Sequence, residues 1–326
     1  MDKVAVQNVD KPVMLGVDLG GTKVNVGLVD RGGRVLFSHK SLIHASKKPE
    51  KVLVDVHRAI DSCCSRAGQE AEAVGVGVAG QVDQRGFVRG SQNLGWQNVP
   101  IKRKLEKMVG LPVAVTNDVN AATLGEWRYG SGRGVDDLAV LFVGTGIGGG
   151  IITGGKLLTG CSNSGGELGH ITVVYDGRQC HCPNRGCLEA YAGGWAIAEL
   201  AQQAVRAAPK RGQRLVSLAG TVEEITAATV CRAYREGDML AQRLVEETGR
   251  YLAAGVVSIV NAFNPCVMVL GGGVIEGIPE LIQTVSDVVP AMALEASVEE
   301  PKIVKASLGA DAGVIGAAVL AQDLLK

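Results

Sequence analysis

A chain of 326 residues has room for about two domains with sizeable hydrophobic cores. Its 33 basic and 33 acidic side chains balance, so no charged surface for nucleic acid or an anionic membrane is expected. No apolar stretch is long enough to cross a bilayer, and the first residues lack the apolar core of a signal peptide.

Two similar hairpin units are predicted along the chain. The strands of the first unit are predicted over 13–17, 24–29 and 34–38. Those of the second unit are predicted over 138–143, 150–153 and 156–159. A glycine turn joins the first two strands of each unit, at 18–23 (DLGGTK) and at 144–149 (GTGIGG). Each turn would present backbone N–H groups to an anion, and we expect the two to face each other across a cleft.

Hydrophobic periodicity and helix-end signals predict the remaining elements. Further strands are expected over 73–79, 111–115 and 266–270. Helices are expected over 51–66, 101–109, 119–127 and 240–263, with a last helix from Asp311 to Lys326. A capping box at 221–224 predicts the start of another helix, and 207–213 has the composition of a loop.

Neither glycine turn is a standard nucleotide motif. The 144–149 turn satisfies G-x-G-x-x-G, but that fingerprint requires a following helix, and the residues after it are typical of a strand. The 16–23 stretch is a near miss to a P-loop, because Thr22 and Lys23 are in inverted order. Either turn alone could be an ordinary hairpin, but their duplication, with Asp18 in the first, favours a phosphate clamp.

Asp118 is the candidate catalytic base. For an isolated Asn–Asp pair before an apolar helix, a helix N-cap would be the better explanation. Here Asn117 and Asp118 stand at the carboxyl end of a predicted strand, where α/β proteins place their ligand sites. This position favours a functional carboxylate.

A metal-ligand cluster follows in the pattern E-x-x-H-x9-C-x-C-x4-C-x-E. Its predicted tetrahedral zinc ligands are His170, Cys180, Cys182 and Cys187. Glu167 and Glu189 flank these ligands, so a metal would rigidify a loop that carries carboxylates. His181 could compete as a ligand, although the cluster needs only one histidine. The other five cysteines are scattered, which fits a reducing cytoplasm better than a disulfide framework.

Together these motifs resemble the ROK family (repressors, open reading frames and kinases), and most closely its bacterial glucokinases. The matching stretches are DLGGTK at 18–23, GQVD at 80–83, NLGW at 93–96, NDVNA at 117–121, GTGIG at 144–148, ELGH at 167–170, CHCPNRGCLE at 180–189 and LGGG at 270–273. Two residues depart from the family pattern, since Pro183 replaces a usual glycine and Ala79 a usual proline. Only about a dozen residues precede the first strand, so we expect no repressor-type helix-turn-helix.

The resemblance implies an actin-like, ribonuclease-H-like α/β fold with two domains around a cleft. We expect a small domain of residues 1–117 with 311–326, and a large domain of residues 118–310 that carries the zinc loop. The implied reaction is transfer of the γ-phosphoryl group of ATP to the 6-hydroxyl of glucose. The family's usual state is a homodimer, which is therefore expected here.

The resemblance also implies roles for individual residues. Asp118 would accept the proton of the sugar hydroxyl. The sugar would be bound by Gly80, Asn93, Asn117, Asp118, Glu167, His170 and Glu189. The ATP phosphates would be held by Gly20, Gly21, Thr22, Lys23, Gly144, Thr145, Gly146 and Gly148. Asp18 would hold Mg²⁺ through water, the run Gly271, Gly272 and Gly273 would let the adenosine approach closely, and zinc would brace the sugar site.

Other activities fit the same motifs. The sugar could be N-acetylmannosamine, N-acetylglucosamine, mannose or allose, and the phosphoryl donor could be polyphosphate. A non-catalytic sugar-sensing protein is a further alternative. The intact Asp118 and both glycine turns argue against that alternative, because a sensor needs no base.

Overall fold

The computed structural model describes residues 13–298 and 302–326 of the chain. The expectation that no signal peptide is present concerns residues 1–12, which lie outside the described residues. Within the described part of the chain, no helix combines the length and the hydropathy that crossing a bilayer requires.

The secondary structure alternates strands and helices. The strands are β1 Met14–Leu19, β2 Lys23–Val29, β3 Val35–Leu42, β4 Val74–Val78, β5 Gln81–Val82, β6 Val88–Ser91, β7 Trp96–Val99, β8 Val113–Asn117, β9 Leu138–Val143, β10 Ile147–Thr153, β11 Lys156–Leu157, β12 Val267–Gly271 and β13 Lys302–Lys305. The helices are α1 Pro49–Ala67, α2 Ile101–Val109, α3 Asp118–Tyr129, α4 Glu189–Ala192, α5 Gly194–Ala207, α6 Gln213–Ala219, α7 Ala227–Arg235, α8 Met239–Phe263, α9 Gly273–Gly277, α10 Glu280–Met292, α11 Glu295–Val298 and α12 Ala312–Asp323. Short 3-10 helices cover Leu168–His170 and Gly309–Asp311.

The chain forms two compact units. The first comprises Met1–Gly134, Leu157–Gly165 and Ser307–Lys326, and the second comprises Val135–Lys156 and Gly166–Ala306. These units differ from the expected division at residue 117, because α3 groups with the first unit, where it packs against α12. The assignment of functional domain boundaries stays a prediction.

Each unit contains a five-stranded sheet, and the two sheets have the same topology. The first has the order β3-β2-β1-β4-β8 and the second the order β11-β10-β9-β12-β13. In both, the first two strands of the hairpin unit are antiparallel, and the central strand then pairs in parallel with a later one. This arrangement confirms the duplicated hairpin unit predicted from the two glycine turns.

Glycines let α12 lie directly on the first sheet. A Cβ atom at Gly16 of β1 would overlap the carbonyl oxygen of Val314, and one at Gly75 of β4 would overlap that of Ala317. At these two positions the helix backbone therefore packs directly on the strand backbone. Asp311 occupies the N-cap position of α12, as expected, but its side chain makes no capping hydrogen bond.

The helix expected at the 221–224 capping box begins later, at Ala227, so the predicted start was wrong. Thr226 is the N-cap of α7 and forms a capping box with Thr229. The Glu224 N–H does donate to Thr221 Oγ1 at 3.3 Å, but this local bond closes only a turn. The same side chains make the same bond in a turn and at a helix start, so the pattern alone does not distinguish them.

A small antiparallel sheet of β5, β6 and β7 was not predicted. Its strands have only two to four residues, so they show no usable alternation of apolar and polar positions. This sheet supplies the loop that carries Asn93 between β6 and β7.

The packing of α12 on α3 predicts a strong effect of Gly316→Ala. The added Cβ would overlap the carbonyl oxygen of Ala121, and backbone cannot move aside as a flexible side chain can. We expect a loss of about 3 kcal/mol in the free energy of unfolding, measured by urea titration. Gly90→Ala is the control, because its Cβ would meet no atom within 4 Å. Equal unfolding midpoints for the two variants would contradict the packing.

Candidate active site

The first glycine turn joins β1 to β2. The Gly20 N–H donates to the carbonyl oxygen of Lys23 at 3.0 Å, which closes the turn. The N–H groups of Gly21 and Thr22 have no acceptor among the described residues. Two adjacent unpaired donors of this kind can bind an anion such as a phosphate group.

The second glycine turn joins β9 to β10 in the same way. The Gly144 N–H donates to the carbonyl oxygen of Gly146 at 2.9 Å. Within the described chain, the N–H groups of Thr145 and Gly146 are again without an acceptor. Gly148 lies in β10, so a strand follows the turn and the dinucleotide fingerprint is excluded, as predicted.

Asp18 and Asp118 lie at the same edge of the first sheet. Asp18 is near the end of β1, and Asp118 directly follows β8. Burial raises the pKa of Asp18 to about 6, with a further increase from the charge of Asp118 and a decrease from Lys40. Burial also raises the pKa of Asp118. Both carboxylates are therefore more basic than exposed ones, and their mutual repulsion favours a bound cation.

Asn117, and not Asp118, is the N-cap of α3. Its Oδ1 accepts from the N–H groups of Val119 at 2.8 Å and Asn120 at 3.2 Å. Its Nδ2 donates to the carbonyl oxygen of Gly80 at 3.1 Å, which leaves one amide hydrogen for a ligand. Asp118 is therefore not the N-cap of α3, although its Oδ1 does accept from the Val119 N–H at 3.0 Å.

Asn93 lies against the first glycine turn. A Cβ atom at Gly21 would be 2.9 Å from Asn93 Cβ and 3.0 Å from its carbonyl oxygen. The Asn93 side chain is exposed and has no hydrogen-bond partner among the described residues. Its carboxamide is thus available to a ligand beside the turn.

In the second unit, a 3-10 helix packs on β10, with Glu167 directly before it and His170 as its last residue. A Cβ atom at Gly169 would overlap the carbonyl oxygen of Ile147, so the helix and the strand are in backbone contact. The ELGH stretch therefore has a glycine at this position because any side chain would collide with the strand. The same contact also fixes the position of His170 relative to the second glycine turn.

The expected metal ligands converge. The ligand atoms of His170, Cys180, Cys182 and Cys187 all lie within 4.8 Å of one another. The Sγ atoms of Cys182 and Cys187 are 3.6 Å apart, and Cys180 Sγ is 3.7 Å from His170 Nδ1. A tetrahedral zinc site with Zn–S bonds of about 2.3 Å has edges of about 3.8 Å between sulfur atoms. The cluster is therefore consistent in composition and dimensions with a structural zinc site.

Two of the three thiols of this cluster are costly to ionise alone. The pKa of Cys182 is instead lowered, because the effect of its burial is outweighed by hydrogen bonds from the Asn184 backbone and from the other two thiols. Burial raises the pKa of Cys180 to about 12, and it also raises the pKa of Cys187. A divalent cation would offset this cost, because it stabilises the thiolates that bind it.

Glu189 connects the cysteine loop with the second glycine turn. Its Oε2 accepts from the Ile147 N–H at 2.7 Å, and its Oε1 accepts from Trp195 Nε1 at 3.1 Å. The backbone N–H of Trp195 in turn donates to the carbonyl oxygen of Thr145 at 2.9 Å. The ring of His181 stacks on Trp195 with centroids 3.9 Å apart, so His181 is outside the ligand cluster.

Trp195 was not predicted from the sequence. It lies near the start of α5, six residues after Glu189, and belongs to no motif. The sequence shows only a tryptophan among small residues. That pattern does not distinguish a residue of the site from a residue of the hydrophobic core.

The Gly271–Gly273 run has two kinds of glycine. A Cβ at Gly271 would be 2.7 Å from Ala306 Cβ, and one at Gly272 would be 2.5 Å from the Val143 carbonyl oxygen. Packing therefore accounts for these two. Only Gly273 has open space around the missing Cβ, so it alone supports the predicted approach of a ligand.

The chain resembles sugar kinases along nearly its whole length. A family model described as the ROK family matches residues 14–324. The glucokinase of Streptomyces coelicolor is 36% identical over 312 residues, covering 95% of this chain and 97% of that protein. The glucokinase of Thermotoga maritima is 37% identical over 317 residues, with coverage of 95% and 97%.

Solved structures show the same likeness. The crystal structure of a ROK family glucokinase from Streptomyces griseus, in complex with glucose and AMPPNP, matches with a TM-score of 0.84. It is 37% identical in sequence, and the match covers 95% of this chain and 99% of that one. This match confirms the predicted actin-like α/β fold class.

The raised pKa of Asp18 predicts a pH-dependent gain in stability for Asp18→Asn. Since the folded pKa is about 6 and the ordinary value is 3.8, the folded state holds the proton more tightly. The stability from this group is therefore present below about pH 4 and is lost as the pH rises through about 6. Asp18→Asn should unfold at higher urea than wild type at about pH 7.5, by up to roughly 3 kcal/mol, and the gain should vanish near pH 4.

Asp287→Asn is the control for that measurement, because Asp287 is exposed on α10. It should leave the pH dependence unchanged. A gain for Asp18→Asn that is the same at both pH values would show that the carboxylate is not destabilised by its surroundings.

Proposed function

The chain belongs to the ROK family, and we propose that it is a glucokinase that transfers the γ-phosphoryl group of ATP to the 6-hydroxyl of glucose. The likeness to curated glucokinases over 95% of the chain supports this activity. So does the S. griseus relative, whose structure holds glucose and an ATP analogue. The observation that carries the mechanism is Asp118, a half-buried carboxylate that directly follows a strand and is not the N-cap of the next helix.

Asp118 acts as the general base in this proposal. A neutral sugar hydroxyl is a poor nucleophile, and a carboxylate within hydrogen-bond reach accepts its proton as the new O–P bond forms. The bond between the γ-phosphorus and the β–γ bridging oxygen breaks at the same time, and ADP leaves with that oxygen. Burial raises the pKa of Asp118, so it takes up this proton more readily than an exposed aspartate. Asn117, the residue before Asp118, is held in place because its side chain caps α3 and donates to the carbonyl oxygen of Gly80.

Polar groups bind the sugar in this proposal. They belong to Gly80, Asn93, Asn117, Asp118, Glu167, His170 and Glu189. Each oxygen of Glu189 already accepts one protein hydrogen bond and retains a lone pair for a sugar hydroxyl. Such charge-assisted bonds reject analogues that lack the bonded hydroxyl.

The phosphates of ATP are held by the two glycine turns. The unpaired N–H groups of Gly21, Thr22, Thr145 and Gly146 support this assignment. Gly20, Lys23, Gly144 and Gly148 complete the phosphate-binding residues, and Gly273, with open space at its Cβ position, adjoins the adenosine. Asp18 would hold the Mg²⁺ of MgATP through water, because its repulsion with Asp118 makes a cation favourable there. Most catalysis of phosphoryl transfer is positioning and charge stabilisation, which these groups supply.

Zinc is the proposed resident metal, held by His170, Cys180, Cys182 and Cys187. Four protein ligands fill a tetrahedral shell, so the ion would brace the loop and activate no water. His170 would ligate through Nδ1, the nitrogen nearest Cys180, which leaves Nε2 for the sugar. Glu189 lies two residues after Cys187, so bracing the loop also fixes the carboxylate.

Two further expectations stay predictions. All eight cysteines lie in the described residues and are free thiols, which supports a reducing compartment such as the cytoplasm. The homodimer rests on the usual state of the family.

A coupled assay tests the activity on a panel of glucose, mannose, allose, N-acetylglucosamine and N-acetylmannosamine, with ATP or polyphosphate as donor. Glucose with ATP should give the highest kcat/KM. Asp118→Asn should lower kcat by about a hundredfold or more while glucose binding, followed by calorimetry, survives. Near-normal turnover by the folded variant would refute the base, whereas faster turnover of an acetylated hexose would refute only the choice of sugar.

The zinc proposal predicts about one metal equivalent per chain and its loss in Cys182→Ala. Because the braced loop carries Glu189, the variant should also bind glucose more weakly. Cys266→Ala is the matched control, since Cys266 is exposed and outside the cluster. Metal content is measured by atomic emission and KM by the coupled assay. Full activity in protein shown to be metal-free would disprove the bracing role.

A further inference from the structure

A short segment between β3 and α1, residues 43–48, connects the first glycine turn with the Asn93 loop. At one end, the Ile43 N–H donates to the carbonyl oxygen of Thr22 at 3.1 Å. At the other end, the Lys47 Nζ donates to the carbonyl oxygen of Asn93 at 2.6 Å. The Trp96 Nε1 donates to the carbonyl oxygen of Lys47 at 2.7 Å. The 43–48 segment is therefore bonded both to the phosphate-binding turn and to the loop that carries a sugar-binding residue.

The Asn93 carbonyl is the point where these parts meet. It accepts the Lys47 ammonium, and it would lie only 3.0 Å from a Cβ atom at Gly21. A shift of this carbonyl would therefore move the Asn93 side chain relative to the glycine turn. The charge-assisted bond from Lys47 opposes such a shift.

Lys47 is held in an unfavourable backbone conformation to make this contact. Its φ is +52°, in the left-handed region that side chains other than Asn and Asp rarely adopt. The other non-glycine residues with positive φ among those described are Asn98, Asn163, Asp176 and Asn264. Lys47 is thus the exception among them, and a glycine or asparagine would fit its backbone with less strain. A strained residue retained beside a ligand site suggests a functional requirement.

We infer that Lys47 is a positioning residue for sugar binding, which acts by fixing the main chain of Asn93 through its ammonium group. This inference rests on the proposed kinase function, because Asn93 is a sugar ligand only within it. The ammonium bonds the main chain and leaves the Asn93 carboxamide to the substrate. The effect should therefore fall on the KM for the sugar more than on kcat or on the KM for ATP.

A purely structural role for Lys47 leads to different expectations. If the lysine served only to hold the 43–48 segment, its loss would lower stability and disturb both substrates, because the segment also bonds Thr22. Substitution by glycine separates the two roles. Lys47→Gly removes the ammonium and relieves the backbone strain, while the carbonyl that accepts from Trp96 remains.

The test measures steady-state kinetics and melting temperature for Lys47→Gly, Lys47→Met and Lys47→Arg. Lys47→Met keeps the backbone strain and the aliphatic stem but lacks the ammonium, and Lys47→Arg keeps a cationic donor. Asn264→Gly is the control, since it makes the same left-handed replacement at the end of α8. All variants are assayed with glucose and ATP beside wild type.

We expect the KM for glucose to rise about five- to tenfold in Lys47→Gly and Lys47→Met, as loss of a hydrogen bond to a charged group would cause. The KM for ATP should stay within about twofold, Lys47→Arg should recover most of the loss, and Lys47→Gly should melt no lower than Lys47→Met. Asn264→Gly should behave as wild type in both KM values.

An unchanged KM for glucose in both variants without the ammonium would overturn the inference, as would a rise in Lys47→Met alone. An equal rise in both KM values would assign Lys47 to the segment and not to Asn93. Failure of the proposed function is a separate result, because wild type and Asn264→Gly would then phosphorylate no glucose either.

Discussion

The second unit depends on the carboxylate of Glu189, which receives hydrogen bonds from two different elements at once. One bond comes from the backbone N–H of Ile147, at the end of the glycine turn, and the other from the indole of Trp195. Because Glu189 directly follows the cysteine loop, these two bonds hold that loop against the turn. Loss of the carboxylate would leave the N–H of the buried Ile147 and the indole N–H of the half-buried Trp195 without this acceptor, and an unpaired buried donor costs more free energy than its bond contributes.

In the first unit, the site is assembled at a cost to stability. Burial disfavours the charged forms of Asp18 and Asp118, and the charge of Asp118 further disfavours that of Asp18. A protein selected for stability alone would place neutral side chains there. The unfavourable arrangement is instead suited to a bound cation and to proton acceptance, which are functions that an exposed carboxylate performs less well.

Much of this arrangement could be predicted from sequence. The hairpin units were recognisable because glycine turns and short apolar strands occur twice in the same order, and the metal ligands because cysteine and histidine spacing is restrictive. The N-cap of α3 could not be identified from sequence, because Asn117 and Asp118 are both good caps and only the backbone conformation distinguishes them. Trp195 was missed because its partners come from distant parts of the chain. Packing also explained Gly271 and Gly272, which had been assigned to a ligand.

The dependence of the first sheet on α12 has a consequence for biosynthesis. Strands β1 and β4 are made early, but the glycine surfaces on them are covered only by a helix that follows the entire second unit in the chain. During translation, that surface would therefore remain uncovered until residues 312–323 have left the ribosome. The second unit, in contrast, has its strands and helices complete before then. Domains usually fold in the order of synthesis, but here the later-made unit would be the first to reach its native state.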